Sequence, residues 1–359
     1  MMLIIHAGMH KTGSSSIQQT LHRWDGTGAD YLPWCFSNHS GLFFLMFQDA
    51  PEDGGGFKLA GMRPEEAKRL ADEWGGKMSE VLEKRAADKV THPAIFSAEV
   101  ISSASEAVVQ RLADYMRKYE PDIRVVAYVR PPVSFMISAF QQRMKTGHVH
   151  NFERLWIWPN YRDRFETLDR VFGRTNVTLK LFKREHLKDG DVVLDFAQEI
   201  GVDLRPSDVV RTNESMSLEA AALLDTFGRY AEPFVTGDRL SEQRRTRFFD
   251  RLMQIGSRRF VLDETVTDPI LAANRADLDW MEDRLGMPVL DATPQSDFKI
   301  ASEADLLAVA LEALPELQKA IADTLASQPT HRHVAASVSL LSEAMRLTEA
   351  KKAPTLLDK

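Results

Sequence analysis

The sixteen residues Leu3-Ile4-Ile5-His6-Ala7-Gly8-Met9-His10-Lys11-Thr12-Gly13-Ser14-Ser15-Ser16-Ile17-Gln18 constrain the fold more than any other stretch of this 359-residue chain. The apolar run predicts a short buried strand, followed by a glycine-bounded turn and the start of a helix that runs towards Trp24. Gly8 and Gly13 permit the positive φ values and close backbone approach that a tight anion-cradling loop requires. Ser14, Ser15 and Ser16 bring hydroxyls and unpartnered backbone N–H groups to a helix N-terminus, where the dipole is positive. Lys11 adds a full cation inside the loop. Strand, turn, lysine and serines together have the form of a phosphate-type anion site.

The spacing from Gly8 to Gly13 matches the first part of G-x-x-x-x-G-K-[ST], but Ser14 stands where that motif has its lysine. In ATP-dependent P-loop enzymes the motif's Ser/Thr holds Mg²⁺ and its lysine spans the β- and γ-phosphates. Here the lysine lies inside the loop, an arrangement suited to one compact tetrahedral group with Lys11 near the bridging oxygen. A second loop follows the clearest strand, Ile123 to Val129, whose nearly continuous apolar run suggests a central parallel position. That strand ends at Arg130-Pro131-Pro132, and a helix is expected from Val133 to about Lys145, with Ser138 two turns in. Arg130 offers a planar charged fork for a phosphate, and Ser138 a hydroxyl beside it.

On these two loops the chain resembles the sulfotransferases that use 3′-phosphoadenosine 5′-phosphosulfate (PAPS). His-Lys-x-Gly-Ser-Ser-Ser resembles their 5′-phosphosulfate loop, and Arg-x-Pro-(x)₅-Ser their 3′-phosphate segment, with Pro131 in place of the usual aspartate. Val210-Arg211-Thr212-Asn213-Glu214-Ser215 resembles an Arg-x-Asn-x-Ser segment that bacterial members place near the nucleotide; helix capping is an equally natural use of Asn213 and Ser215. The resemblance implies an α/β, P-loop NTPase-like three-layer fold with a central mainly parallel sheet, helical insertions and a helical C-terminal extension. It implies sulfuryl transfer from PAPS to a hydroxyl or amine, with adenosine 3′,5′-bisphosphate as product and no metal. His10, Lys11, Thr12, Gly13, Ser14, Ser15, Ser16, Arg130, Ser138, Arg211 and Asn213 would then surround the nucleotide, and Lys11, Glu99 and His10 would be catalytic.

The acceptor needs a base. Ala94 to Ser97 reads as a short buried strand, so Glu99 stands at a strand's carboxyl end, where α/β folds place ligands. Glu99 is the first choice, with His10 and His39 in reserve; a salt bridge from Glu99 to a neighbouring Lys or Arg is the bland alternative. His39 falls in an irregular segment, Trp34 to Gly61, expected as a lid or substrate wall, where packing or surface exposure is its ordinary role. Gly147 to Tyr161 carries His148, His150, Trp156, Trp158 and Tyr161. Its aromatics point either to a carbohydrate acceptor or to packing, and its histidines lack partners at metal-ligand spacing.

A net charge of −7 excludes a general nucleic-acid binder, so the anion site must be local. The single cysteine, Cys35, excludes a disulfide framework and points to a reducing compartment. No apolar run is long enough to span a membrane, and with a strand starting at Leu3 no signal peptide is expected. A cytoplasmic bacterial enzyme acting on a small-molecule or glycan acceptor is expected, its oligomeric state open. Residues 1–215 are expected as the α/β core and 216–359 as a mainly helical part packed on it, with helices at 217–230, 239–257, 270–285, 302–326 and 334–349. An ATP-dependent kinase of P-loop type and a non-catalytic nucleotide- or carbohydrate-binding module are the competing readings.

Overall fold

The computed structural model describes residues 2–24, 28–53, 57, 61–145, 158–211, 216–230, 242–291, 296, 298–326 and 330–350. Its centre is a five-stranded, wholly parallel sheet in the order β2-β3-β1-β4-β5. The strands are β1 (Leu3–His6), β2 (Asp30–Tyr31), β3 (Ala94–Ser97), β4 (Ile123–Val129) and β5 (Val177–Leu181). Parallel strands need crossovers, and each crossover is helical: α1 (Ser14–Arg23), α2 (Ser40–Phe47) and α3 (Pro64–Ala87), α4 (Glu106–Arg117), then α5 (Pro132–Lys145) and α6 (Tyr161–Phe172). α7 (Val192–Glu199) follows β5.

The period of two along the strands splits their side chains between two cores. Leu3, Ile5, Phe96, Val125, Ala127 and Val129 pack with residues of α2, α3, α4 and α6 on one face. Ile4, Ile95, Val126 and Tyr128 pack with Ile17 and Leu21 of α1 and Val192, Val193, Phe196 and Ala197 of α7 on the other. This is the three-layer α/β fold expected from the sequence. Beyond the sheet come α8 (Leu218–Tyr230), α9 (Glu242–Leu252), α10 (Glu264–Ala273), α11 (Arg275–Leu285), α12 (Glu303–Glu312), α13 (Leu314–Ala326) and α14 (His331–Ala350).

Three local outcomes differ from the sequence expectation. The segment from Trp34 to Gly61 is not wholly irregular: α2 lies within it, with Leu42, Phe43, Leu45 and Phe47 buried. A helix with scarcely a polar face gives no amphipathic period to read. The helix expected over 302–326 is two, because Pro315 cannot extend the helix that ends at Glu312. The one expected over 270–285 begins earlier, at Glu264, and breaks at Asn274.

The chain forms two compact units. One comprises Met1–Phe140, Arg154–Ser215 and Leu262–Gln295, and the other Gln141–Glu153, Met216–Val261 and Ser296–Lys359. α10 and α11 belong to the sheet-bearing unit. There Arg284 of α11 donates to both carboxylate oxygens of Asp169 on α6, at 2.8 Å each. In the second unit Arg229 of α8 bridges Asp225 and Glu303, both at 2.8 Å, and Arg258 bridges Glu219 and Glu312.

Candidate active site

The β1–β3 register opposes His6 to Ser97, so the two chains leave the sheet side by side at its carboxyl edge. Ala98 N–H donates to His6 O and Ala7 N–H to Val126 O, both at 3.0 Å, which fixes where the loop departs. Between β1 and α1 three residues take positive φ: Gly8 at 57°, Lys11 at 70° and Gly13 at 77°. The glycines are required by space as well as by φ. A Cβ on Gly8 would sit 2.8 Å from Glu99 Cα and Cβ, and one on Gly13 would sit 2.6 Å from Val192 Cγ1. Lys11 is the non-glycine held in this left-handed region, a conformation that surrounding contacts must impose.

Those contacts are visible. Thr12 is buried, and its hydroxyl donates to Met9 O at 2.6 Å across the turn. Arg130, at the end of β4, donates from Nη1 to Lys11 O. Gly13 is the N-cap of α1, and its carbonyl accepts from Ser16 N and Ile17 N at 3.0 and 3.2 Å. The N–H groups of Ser14 and Ser15 precede the first intrahelical bond, where a helix leaves its donors free. Ser14 is only 3% exposed, and its Oγ has no hydrogen-bond partner among the described residues. A buried hydroxyl of this kind is costly unless a ligand completes it. The cradle, the left-handed lysine and the orphaned hydroxyl fit a tetrahedral oxyanion.

Arg130 is half-buried, and burial draws its guanidinium down to about 10, partly opposed by Asp291; it stays charged at neutral pH. Nε donates to Ser134 Oγ at 3.3 Å, and the guanidinium lies 5.7 Å from the Phe182 ring centre. Ser138 lies one turn beyond Ser134 on the same face of α5 and is half-buried. Tyr161 Oη donates to Arg130 O at 2.6 Å. Tyr161 is placed by Asp277 of α11, whose carboxylate accepts from Trp158 Nε1, Tyr161 N and Arg162 N at 2.5, 2.9 and 2.8 Å, a side-chain cap supplied from another helix. Trp158 and Tyr161 are therefore buried packing residues rather than a stacking platform. His148, His150 and Trp156 lie outside the described residues.

Arg211 is exposed and pairs with Asp191 at 3.0 Å. Asp191 also caps α7 by accepting from Val193 N and Leu194 N. Because Val192 touches the space beside Gly13, this pair stands next to the loop. Asn213 lies outside the described residues.

Glu99 opens a short turn after β3, with its carboxylate 3.3 Å from His10 Nδ1; the two side chains are 24% and 39% exposed. Burial pushes the Glu99 carboxyl up, but the hydrogen bond and charge of His10, with His6 and Lys11, outweigh it and hold the carboxyl below its ordinary value. The partner of Glu99 is thus a loop histidine rather than an arginine. His6 itself is fully buried; its Nδ1 lies 2.8 Å from Ser97 Oγ, and burial, opposed by Glu99, lowers it to about 4.

His39 is not a base. Its Nδ1 accepts from Ser97 N and its Nε2 donates to Leu32 O, both at 2.9 Å, and the ring stacks between Tyr31 and Phe96. Burial lowers it to about 3, so it is neutral and structural. Tyr161, Asp277 and Ser134 are site-supporting residues that sequence reasoning missed, and only the aromatic of Tyr161 drew notice in the sequence.

No family model and no curated protein matches the chain. Solved structures similar to it include the sulfotransferase from Alicyclobacillus acidocaldarius, 16% identical with a TM-score of 0.44, over 79% of this chain and 95% of that one. The sulfotransferase domain from the curacin biosynthetic pathway is 12% identical with a TM-score of 0.31, over 58% of this chain and 75% of that domain.

Proposed function

We propose that the chain is a sulfotransferase that moves a sulfuryl group from PAPS to a hydroxyl or amine. One observation carries the reading: an anion cradle whose lysine lies inside the loop at positive φ, with a buried, unpartnered serine hydroxyl at the helix start and a histidine–carboxylate pair at its rim. A nucleoside triphosphatase would have its lysine at position 14, where this chain has serine.

When bound, PAPS supplies the sulfuryl group and an adenosine bisphosphate leaving group. Lys11, the Ser14 and Ser15 N–H groups and the Ser14 hydroxyl would hold the 5′ end and neutralise charge on the bridging oxygen as it develops. Arg130, with Ser138 one turn from its Ser134 partner, would hold the 3′-phosphate. Arg130 spends one Nη1 donor on Lys11 O and Nε on Ser134, which leaves Nη2 and a second Nη1 hydrogen for a ligand. Arg211 is the adjoining cation, already aligned by Asp191. The His10–Glu99 pair receives the acceptor's proton.

The test is calorimetric titration with adenosine 3′,5′-bisphosphate and, in parallel, with ATP plus Mg²⁺. Micromolar binding of the bisphosphate that is lost in Arg130→Ala is expected. Binding of ATP–Mg²⁺ alone would move the chain to the kinase class, and bisphosphate binding without transfer to any acceptor would make it a binding module.

A further inference from the structure

We infer that His10 and Glu99 work as a dyad in which the imidazole, not the carboxylate, takes the acceptor's proton. Glu99 Oε2 holds Nδ1–H, which leaves Nε2 as the basic nitrogen. The inference rests on the sulfuryl-transfer reading and assigns the proton acceptor within it.

Nδ1 lies 3.3 Å from Glu99 Oε2, and Nε2 has no partner among the described residues. A ring nitrogen whose mate faces a carboxylate has its tautomer and orientation fixed by that carboxylate, the logic of nucleophile–base–orienter triads. His10 precedes Lys11 directly, so one rigid turn carries both the cation and the imidazole. The β1–β3 register brings Glu99 to meet it, and Gly8 lets the loop lie against the Glu99 backbone. His10 is also the more accessible of the pair, at 39% against 24%.

Basicity points the same way. A carboxylate held below its ordinary value is a weak base at neutral pH, whereas a general base works best with affinity for protons near the working pH. Glu99 is better suited to stabilising an imidazolium than to replacing it. The neighbouring histidines cannot substitute. Both nitrogens of His39 are bound to backbone, and His6 is fully buried, with Nδ1 on Ser97.

The step balances without a further reagent. The acceptor oxygen or nitrogen bonds to sulfur and its proton passes to Nε2. The bridging S–O bond breaks, with its electron pair left on the 5′-phosphate oxygen, and the imidazolium returns the proton to solvent.

The experiment has three readouts. Long-range ¹⁵N–¹H spectra of the imidazole-labelled protein should show His10 as the Nδ1–H tautomer, and Glu99→Gln should abolish that preference. Bisphosphate formation from PAPS, with water, 2-naphthol and a methyl glycoside as probe acceptors, should fall at least about 100-fold in His10→Ala and in His10→Gln, which keeps a donor for Glu99. Added imidazole should restore part of the rate in His10→Ala, while formate should restore nothing in Glu99→Gly. Bisphosphate affinity should change far less than the rate in all four variants. An Nε2–H tautomer, or formate rescue of Glu99→Gly beside near-parental His10 variants, would overturn the inference while leaving sulfuryl transfer standing. Parent protein that neither binds the bisphosphate nor turns over PAPS would overturn the transfer reading and the inference with it.

Discussion

Acidification should destabilise the sheet-bearing unit, because two histidines are buried neutral in it. His6 and His39 are fully buried, and burial lowers them to about 4 and about 3. In the unfolded chain both bind protons from about pH 6.5 downward, whereas the folded state refuses them until the lower values are reached. The unfolded state therefore binds more protons throughout that window, and stability falls as pH falls. It is complete above about pH 6.5, and its loss ends only below the folded-state values. Between pH 7.5 and pH 5 each histidine removes roughly 2 kcal/mol, about 4 kcal/mol together, against a total stability of about 5–15 kcal/mol for a domain. His92, lowered by burial and by Arg85, works in the same direction. The described tryptophans, Trp24, Trp34, Trp74, Trp158 and Trp280, all belong to this unit, so urea unfolding followed by tryptophan fluorescence reads it. We expect ΔG to drop by about 4 kcal/mol over that range, with a slope halved in His39→Gln. A midpoint unchanged between pH 7.5 and pH 5 would refute the linkage.

Four further outcomes are expected. Lys11→Ala should abolish sulfuryl transfer from PAPS, and near-parental turnover would sink the loop assignment. Arg130→Ala should weaken adenosine 3′,5′-bisphosphate by about 1.5–3 kcal/mol in titration calorimetry, the range of a charge-assisted hydrogen bond; an unchanged Kd would confine Arg130 to bracing the Lys11 carbonyl. Gly13→Ala should both strain φ 77° and collide with Val192, lowering thermal stability and bisphosphate affinity together. Loss of neither would mean that the turn relaxes freely. Tyr161→Phe should cost about 1 kcal/mol in urea unfolding, the value of its bond to Arg130 O, while transfer falls through Arg130. Full activity with reduced stability would show that the brace is structural only.

Much of the sheet is readable from the chain because its strands are apolar runs that end in glycine, glutamate or Arg-Pro. The boundaries expected for the strands at 94–97 and 123–129 agree with those observed. The loop is readable because glycine spacing and a lysine among serines leave few other uses for such residues. What escapes is set by distant partners. His39 looks free in the sequence, but its ring is claimed by Leu32 and by the Ser97 backbone 58 positions away. Trp158 and Tyr161 look like a sugar platform until Asp277, more than a hundred residues later, caps their helix and buries them. α2 hides in an apolar cluster because a helix enclosed on nearly all sides loses the polar stripe that would announce it.

The same long-range logic explains why the two candidate loops meet. Arg130 is eight residues from Ser138 in sequence but 119 from Lys11, whose carbonyl it holds. That bond restrains the one non-glycine residue of the loop with positive φ, so the lysine's backbone is set by the arginine of the other loop. A guanidinium has five donors, and two are committed to protein here, so the brace and a phosphate can be served together. Lysine at position 130 would lack the planar fork needed for both tasks. Arg130→Lys should therefore preserve local charge yet lose order at Lys11, and its bisphosphate affinity should fall nearly as far as in Arg130→Ala. Parental affinity in the lysine variant would show that charge alone positions the ligand and that the two loops are set independently.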